Sequence, residues 1–369
     1  MFSKKLSLQR IPFWIDWIMR SQAPARVCLF GEHQDYLSHP VIAAAVDLHL
    51  TIQGEPRKDQ VFHIRKPDIC EEESFSVRGG LLPYTKPRDY FRSGINVLIK
   101  EGARFDHGLD VEVHSRIPVA AGASSSSVLN VAWIRLLRRH YLPELPEDPV
   151  ADAERAFRAE VAEFNEPGGR MDHYASSLGG AHFFDFHSHR HELLRTALEG
   201  LILVDSLEKK ETLGRIRLLK EGQTSALEMV KALFPDRPLE TIEEGELDLL
   251  PEELRPFGKA AVLNYALTLK GREALRREPL DPLLLGGLFR EEQRICREYL
   301  KNSTPRIDLL LDEALAAGAL GGKVNGSGGG GTLFLYAPGK EERIFEVLGS
   351  LPCRPFRVNL EPLSEPLSR

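Results

Sequence analysis

The sequence predicts a mixed α/β or α+β protein in two domains. Three observations carry this reading. Strand-like patterns stand near both ends of the chain, and charged helical stretches take over from about Leu207. The chain also has 369 residues at 42% hydrophobic, more than one core usually organises. The expected boundary is at 198/199, giving an N-terminal domain of residues 1–198 and a C-terminal domain of 199–369. No internal repeat is present.

Taken in order, residues 1–22 carry apolar side chains interrupted by Arg10, Pro12, Asp16 and Arg20. This is neither a signal segment nor a span of about 20 apolar residues. Phe13, Trp14, Trp17 and Ile18 read as one face of a short docking helix. Arg26–Phe30 is apolar and strand-like before a turn at Gly31, and Val41–Ile52 follows as an apolar, partly alternating run. Leu109–Ile117 alternates with period two, Leu109, Val111 and Val113 against Asp110, Glu112 and His114, as a half-buried strand does. Ser124–Ser127 opens a helix over Val128–Tyr141, and Pro149–Phe164 reads as helical. Gly180–His187 and Gly200–Asp205 read as strands. Leu213–Leu233 and Lys259–Arg276 are long charged helices, with acidic loops such as Glu243–Glu246 between them. Leu309–Leu315 closes a helix before a glycine loop, and Thr332–Tyr336 is the strand after it.

Lys+Arg 48 against Asp+Glu 54 leaves a formal charge of −6, with no basic run that would suit nucleic acid or a membrane surface. Cys28, Cys70, Cys296 and Cys353 are scattered, with no CxxC pair, and read as free thiols of a cytoplasmic protein.

Three passages carry the chemistry. In Pro118–Ser127 (PVAAGASSSS) a strand ends and a helix begins, so backbone N–H groups and the helix dipole point at an anion; a serine-rich N-cap is the plainer reading. It is not a Walker loop, since GxxxxGK[ST] occurs nowhere. Lys323–Gly331 (KVNGSGGGG) is too rich in glycine for a helix or strand interior and makes a tight loop. Gly31–Tyr36 (GEHQDY) gathers Glu32, His33 and Asp35 in one turn. Such convergent acceptors suit a polyhydroxylated ligand; taken alone, a solvated polar turn is the plainer reading and a metal site a weaker one. Asp172 follows the glycine turn Pro167–Gly169, where an aspartate is ordinarily a cap. His187, His189 and His191 alternate with Asp185 and read as a solvated strand end, with a metal cluster as the alternative.

The three passages in this order resemble the GHMP small-molecule kinases, and GEHQDY, behind Pro24-Ala25-Arg26, resembles the galactokinases within them. The resemblance runs from Pro24 to about Tyr336. It implies an α+β fold with an N-terminal domain like ribosomal protein S5 domain 2 and a ferredoxin-like C-terminal domain. The reaction it implies transfers the γ-phosphoryl of ATP, with Mg2+, to a sugar hydroxyl, the anomeric one for a galactose-like acceptor. Its partners are then a small-molecule sugar and ATP, with neither nucleic acid nor membrane, and the oligomeric state is left open. By the family pattern Pro118, Gly122, Ser124, Ser125 and Ser126, with Gly326, Ser327 and Gly328, hold the nucleotide phosphates. Ser126 and Glu160 hold Mg2+; Glu160 stands twelve residues before Asp172, and Glu163 is the competing candidate. Asp172 is the catalytic base and Arg26, six residues before Glu32, the catalytic arginine. Glu32, His33, Asp35 and Gly169 contact the sugar. Tyr90, Phe91 and Gly94 read as core and resemble a helix of the galactokinases.

The sequence departs from the pattern at Ala123, Ser127, His173, Ser327 and Gly329, and Ser206–Thr212 lacks the tyrosine that touches galactose. Uronic acids, arabinose and heptose phosphates are therefore alternative acceptors, with isoprenoid or homoserine kinase activity further off. A non-catalytic sugar and ATP sensor is the alternative of a different class.

Overall fold

Pro24 sets the shape of the first strand pair. It has no N–H to give to a ladder, and the pairing of β1 (Met19–Phe30) with β2 (Val41–Pro56) slips in register between Pro24 and Ala25 and again between Cys28 and Phe30. Such bulges bend a strand. The computed structural model describes residues 19–118, 124–209 and 213–363. The expected docking helix around Trp14 and Trp17, and Gly122 of the serine loop, lie outside these.

The seven strands of the first sheet run β4-β3-β5-β2-β6-β7, with β1 on β2. They include β3 (Val61–Lys66), β4 (Glu71–Ser76), β5 (Leu109–Ser115), β6 (Ala181–Asp185) and β7 (Arg190–Leu193). Only β3 and β5 pair in parallel. β2 explains its own unbroken apolar start. Ile42, Ala44 and Val46 enter the main core, while Val41 and Ala43 face a second cluster with Met171, Ala175 and Phe184. Both faces of the strand are covered, so the period-two signal disappears there. In β5 the alternation survives, and Leu109, Val111 and Val113 are the buried set.

Four helices cover this sheet: α1 (Tyr90–Lys100), α2 (Ser125–Tyr141), α3 (Pro149–Phe157) and α4 (Met171–Leu178). Trp133 of α2 is buried and donates its indole N–H to the Phe91 carbonyl of α1 at 3.1 Å. The helix expected over Pro149–Phe164 is α-helical only to Phe157; Arg158–Ala162 is a π turn. The expected histidine strand is a hairpin. Asp185 ends β6, and its carboxylate accepts from the backbone N–H groups of His187 and Ser188 at 3.1 and 3.3 Å. No group of three or more His, Cys, Asp or Glu able to hold a metal occurs among the described residues.

The second sheet is antiparallel, β11-β8-β10-β9, with β8 (Leu201–Asp205), β9 (Gly321–Asn325), β10 (Thr332–Tyr336) and β11 (Arg354–Val358). Its helices are α5 (Leu213–Leu233), α6 (Arg255–Leu275), α7 (Pro282–Glu298), α8 (Pro305–Ala316) and α9 (Glu341–Gly349). The acidic stretch expected as a loop is instead a 3-10 helix, Glu244–Leu249, closed by a capping box between Glu243 and Glu246. Among the described residues, no helix is long and apolar enough to cross a membrane. The two halves are pinned by Phe30, which ends β1 and stacks on Phe289 of α7 with ring centroids 5.0 Å apart. Gly271 of α6 lies against the same ring, where a Cβ would come within 2.5 Å of it.

Candidate active site

Arg26 occupies the middle of β1, not its beginning, and is only 2% exposed. A buried guanidinium needs a partner. It finds one in Asp172, in the first turn of α4, through a two-pronged bond of 2.7 and 2.9 Å. Burial works against charge on either group. The neighbouring Asp172 and Glu32 carboxylates nevertheless raise the Arg26 pKa, and Arg26 holds the Asp172 carboxyl below the usual aspartate range. Ser124, the residue before α2, sits in the left-handed region (φ 62°) and donates its hydroxyl at 2.6 Å to Asp172 Oδ2, which also accepts from Arg26. The serine loop and the aspartate thereby share one corner.

That corner opens on a cavity of about 590 Å³, bordered also by Ser125, Ser126, Glu160, Gly326 and Ser327. Two of the residues expected at the phosphates stand behind its wall. The Pro118 carbonyl accepts from the Ser125 hydroxyl at 3.3 Å, and Gly328 packs on Asn302, whose carbonyl a Cβ would meet at 2.3 Å. Gly326 and Gly328–Gly331 all take positive φ, which lets the loop from β9 to β10 turn this tightly.

Glu160 and Glu163 part company at the π turn. Glu160 faces the cavity, with its carboxylate 2.8 Å from His173 Nε2. Glu163 turns outward to Tyr84 and Lys100. His173, which the resemblance would make a glutamine, is thus the partner of Glu160, and its Nδ1 is buried without a hydrogen bond.

The turn after β1 is preorganised. Asp35 accepts from the backbone N–H groups of Tyr36 and Met171, each at 3.0 Å, and burial lifts its pKa to about 6. Gly169 is required beside it, since a Cβ would lie 2.0 Å from the Asp35 carboxylate. Burial lowers the His33 pKa, and both ring nitrogens have partners, the Tyr36 hydroxyl at 3.0 Å and the Ser327 carbonyl at 3.2 Å. One Glu32 oxygen accepts from the Gly326 N–H at 2.8 Å and from Lys323 at 3.1 Å. So Glu32, His33 and Asp35 all border the cavity, and all are also tied inward.

The turn belongs to the first half in sequence but is gripped by the second. Gln223 of α5 reaches the His33 carbonyl and the Tyr36 hydroxyl at 3.3 and 3.2 Å. On α6, Asn264 donates to the Glu32 carbonyl at 2.9 Å, and the Thr268 hydroxyl accepts from Gln34 at 3.0 Å. On α7, Glu292 accepts from the N–H groups of Gly31 and Glu32 at 2.9 and 3.2 Å. Sequence reasoning missed all of these, along with Lys323 and the Arg88–Glu166 pair on the cavity wall. The one available signal was Lys323, a lone charge in an otherwise apolar and glycine-rich strand.

Comparison with known proteins agrees with this architecture. Residues 89–180 match the GHMP kinases N terminal domain, 272–351 the GHMP kinases C terminal domain, and 19–56 the galactokinase galactose-binding signature. A galactokinase of Thermococcus kodakarensis is 28% identical over 345 residues, covering 92% of this chain and 95% of its own. A mevalonate kinase of Pyrococcus furiosus is 26% identical over 339 residues, covering 88% and 90%. The fold overlays the galactose complex of Lactococcus lactis galactokinase with a TM-score of 0.81 at 18% identity, over 95% of each chain. With both family domains in order and the sugar signature ahead of them, the chain belongs to the GHMP kinases, ATP-dependent phosphotransferases, and is galactokinase-like among them.

Proposed function

We propose that the protein transfers the γ-phosphoryl group of ATP to a monosaccharide hydroxyl, the anomeric hydroxyl of a galactose-like sugar. One observation carries the reading. Asp172, fixed by Arg26 and by the serine that opens α2, faces the same cavity as the Glu32–Asp35 turn. Asp172 receives the acceptor hydroxyl and takes its proton. Held below the usual aspartate range, it is a weak base, so it orients the hydroxyl first and the proton moves late, as a loose phosphoryl-transfer transition state allows. Arg26 stays charged beside it and offsets the negative charge that builds on the transferring group. Ser124–Ser126, Gly326 and Ser327 cradle the phosphates. Glu32, His33, Asp35 and Gly169 frame the acceptor.

Ser126 and Glu160 are hard oxygen donors that both line the cavity and fit Mg2+, which takes few protein ligands and completes its shell with water and phosphate oxygens. When bound, the ion would neutralise phosphate charge. Glu163 is committed elsewhere and is not part of this set.

The same reading divides the chain at 198/199, between the two sheets, and places it in the cytoplasm, in keeping with its four free thiols. A second acceptor class is favoured by Lys209, which is exposed on the cavity wall within the Ser206–Thr212 stretch that lacks the galactokinase tyrosine. That class is a sugar bearing a carboxylate or phosphate. The deciding experiment is ADP release from Mg-ATP over galactose, glucuronate, galacturonate, arabinose, mannose, a heptose and a heptose phosphate, with mevalonate and homoserine as outsiders. Turnover with a neutral sugar supports the first reading, and turnover restricted to the acidic sugars or the heptose phosphate the second. Nucleotide binding without turnover of any of them defeats both.

A further inference from the structure

Under the acceptor turn lies a buried cluster of two carboxyls and one lysine. Glu292 is fully buried on α7, Lys323 fully buried on β9, and Glu32 2% exposed. The Lys323 ammonium stands 3.1 Å from Glu32 and 3.7 Å from Glu292, and donates to the Cys28 and Val324 carbonyls at 3.0 Å each. Two carboxyls share one lysine. Burial, chiefly, pushes the Glu292 pKa up to about 7, with the Glu32 charge adding to it and Lys323 opposing. Glu292 is therefore largely neutral in mildly acidic solution.

A helix facing a core has no evident need of a glutamate there, and a buried carboxyl is unfavourable unless its hydrogen bonds repay the lost water. The hydrogen bonds of Glu292 are specific. Its Oε1 accepts from the N–H groups of Gly31 and Glu32, while Oε2 is buried with no hydrogen-bond partner. Among the described residues, then, its hydrogen bonding is spent on two consecutive amides of the acceptor turn. Glu32 carries the link onward, since its side chain binds the Gly326 N–H and Lys323 at the glycine loop. A helix of the second half is thus bonded to a turn of the first half, and that turn to the loop at the nucleotide side.

We propose that Glu292 is a positioning residue for acceptor recognition, holding the Gly31–Tyr36 turn in register with the glycine loop. It does not touch either substrate. The proposal rests on the reading that this turn frames the acceptor, and the experiment separates the two.

Two variants of the full chain test it. Glu292→Leu removes the acceptor oxygen yet leaves Lys323 paired one to one with Glu32, so the fold is expected to survive. Glu292→Gln keeps an oxygen for the two amides. With galactose, or whichever sugar of the panel turns over fastest, Glu292→Leu should raise the acceptor KM by about tenfold or more, the effect of orphaning buried N–H groups. The ATP KM and kcat should stay within about twofold, and Glu292→Gln should restore the acceptor KM to within about threefold of the parent at pH 6.5. An unchanged acceptor KM in a folded Glu292→Leu protein overturns the proposal. So does an equal rise in both KM values, or a Gln variant as impaired as the Leu variant.

Amide hydrogen exchange of the peptide spanning residues 31–37 needs no acceptor. It should quicken in Glu292→Leu and return to the parent rate in Glu292→Gln, while the 109–115 peptide is unchanged. If exchange behaves in this way and no sugar turns over, Glu292 positions the turn and the sugar reading fails. If exchange in the Leu variant matches the parent, the positioning role fails whatever the turnover.

Discussion

Asp172 and Arg26 form one unit, and their substitutions should separate chemistry from stability. Asp172→Asn keeps the shape and removes the base, so kcat should fall roughly 10²–10⁴-fold with ATP binding retained, measured by turnover and by nucleotide titration. Arg26→Leu leaves a carboxylate without its cation and should cost about 3 kcal/mol in chemical denaturation, besides abolishing turnover. Gly169→Ala drives a methyl group into the Asp35 carboxylate, so acceptor KM should rise while ATP KM holds. Arg26, Asp172, Ser124 and the GEHQDY turn were legible because their types recur in a recognisable order. Glu292 was not, because on its helix it looks like its exposed neighbour Glu291. What distinguishes them is a partner 260 residues away, the separation of Glu32 from Glu292.

Among the elements, the π turn at Arg158–Ala162 decides which glutamate faces the cavity. A plain α-helix sets positions three apart on one side, and the extra residue of a π turn parts them. Glu160→Gln should therefore raise the Mg2+ concentration needed for half-maximal activity by about tenfold or more, as losing one hard charged ligand does. Glu163→Gln should leave that requirement unchanged and lower stability by less than about 1 kcal/mol; equal Mg2+ shifts in the two variants would refute the assignment. Helix α5 and strand β10 were readable to the residue, the one from its length and the other from its apolar run between glycine and proline. β3 and β4 were passed over, because Phe62 and Ile64 are a short signal and Glu71–Ser76 is mostly exposed. The π turn left no mark at all, since it follows from packing rather than from composition.

For the whole molecule, the two raised carboxyls predict how stability follows pH. Burial raises Asp35 to about 6 and Glu292 to about 7, so each binds its proton more tightly in the folded than in the unfolded chain. Stability from these groups is complete below the unfolded carboxyl range and is lost as pH rises towards 7, at no more than about 1.4 kcal/mol per pH unit for each proton. Burial lowers the pKa of His33, His39, His140 and His182, which makes those groups favour folding as pH rises. The carboxyl effect is therefore read by difference: between pH 5 and 8 the thermal midpoint of the parent should fall relative to that of Glu292→Gln, and the gap should then level. A parent midpoint that climbs relative to Glu292→Gln over the same interval would contradict the buried-carboxyl account. Strands near both ends of the chain and long charged helices from about Leu207 were expected from the sequence pattern, and a two-domain fold from the family resemblance. The way the halves interlock was not, because it hangs on Phe30 against Gly271 and on polar side chains of the second half that bond the backbone and side chains of the Gly31–Tyr36 turn. This interlocking limits how the protein can be recombined. A chimera joining the first 198 residues to the second half of a distant relative would inherit Glu32, His33 and Asp35 without Gln223, Asn264, Thr268 and Glu292 to shape them. Acceptor preference is then not portable with the segment that displays it, and exchange of sugar specificity between such kinases has to move both halves together.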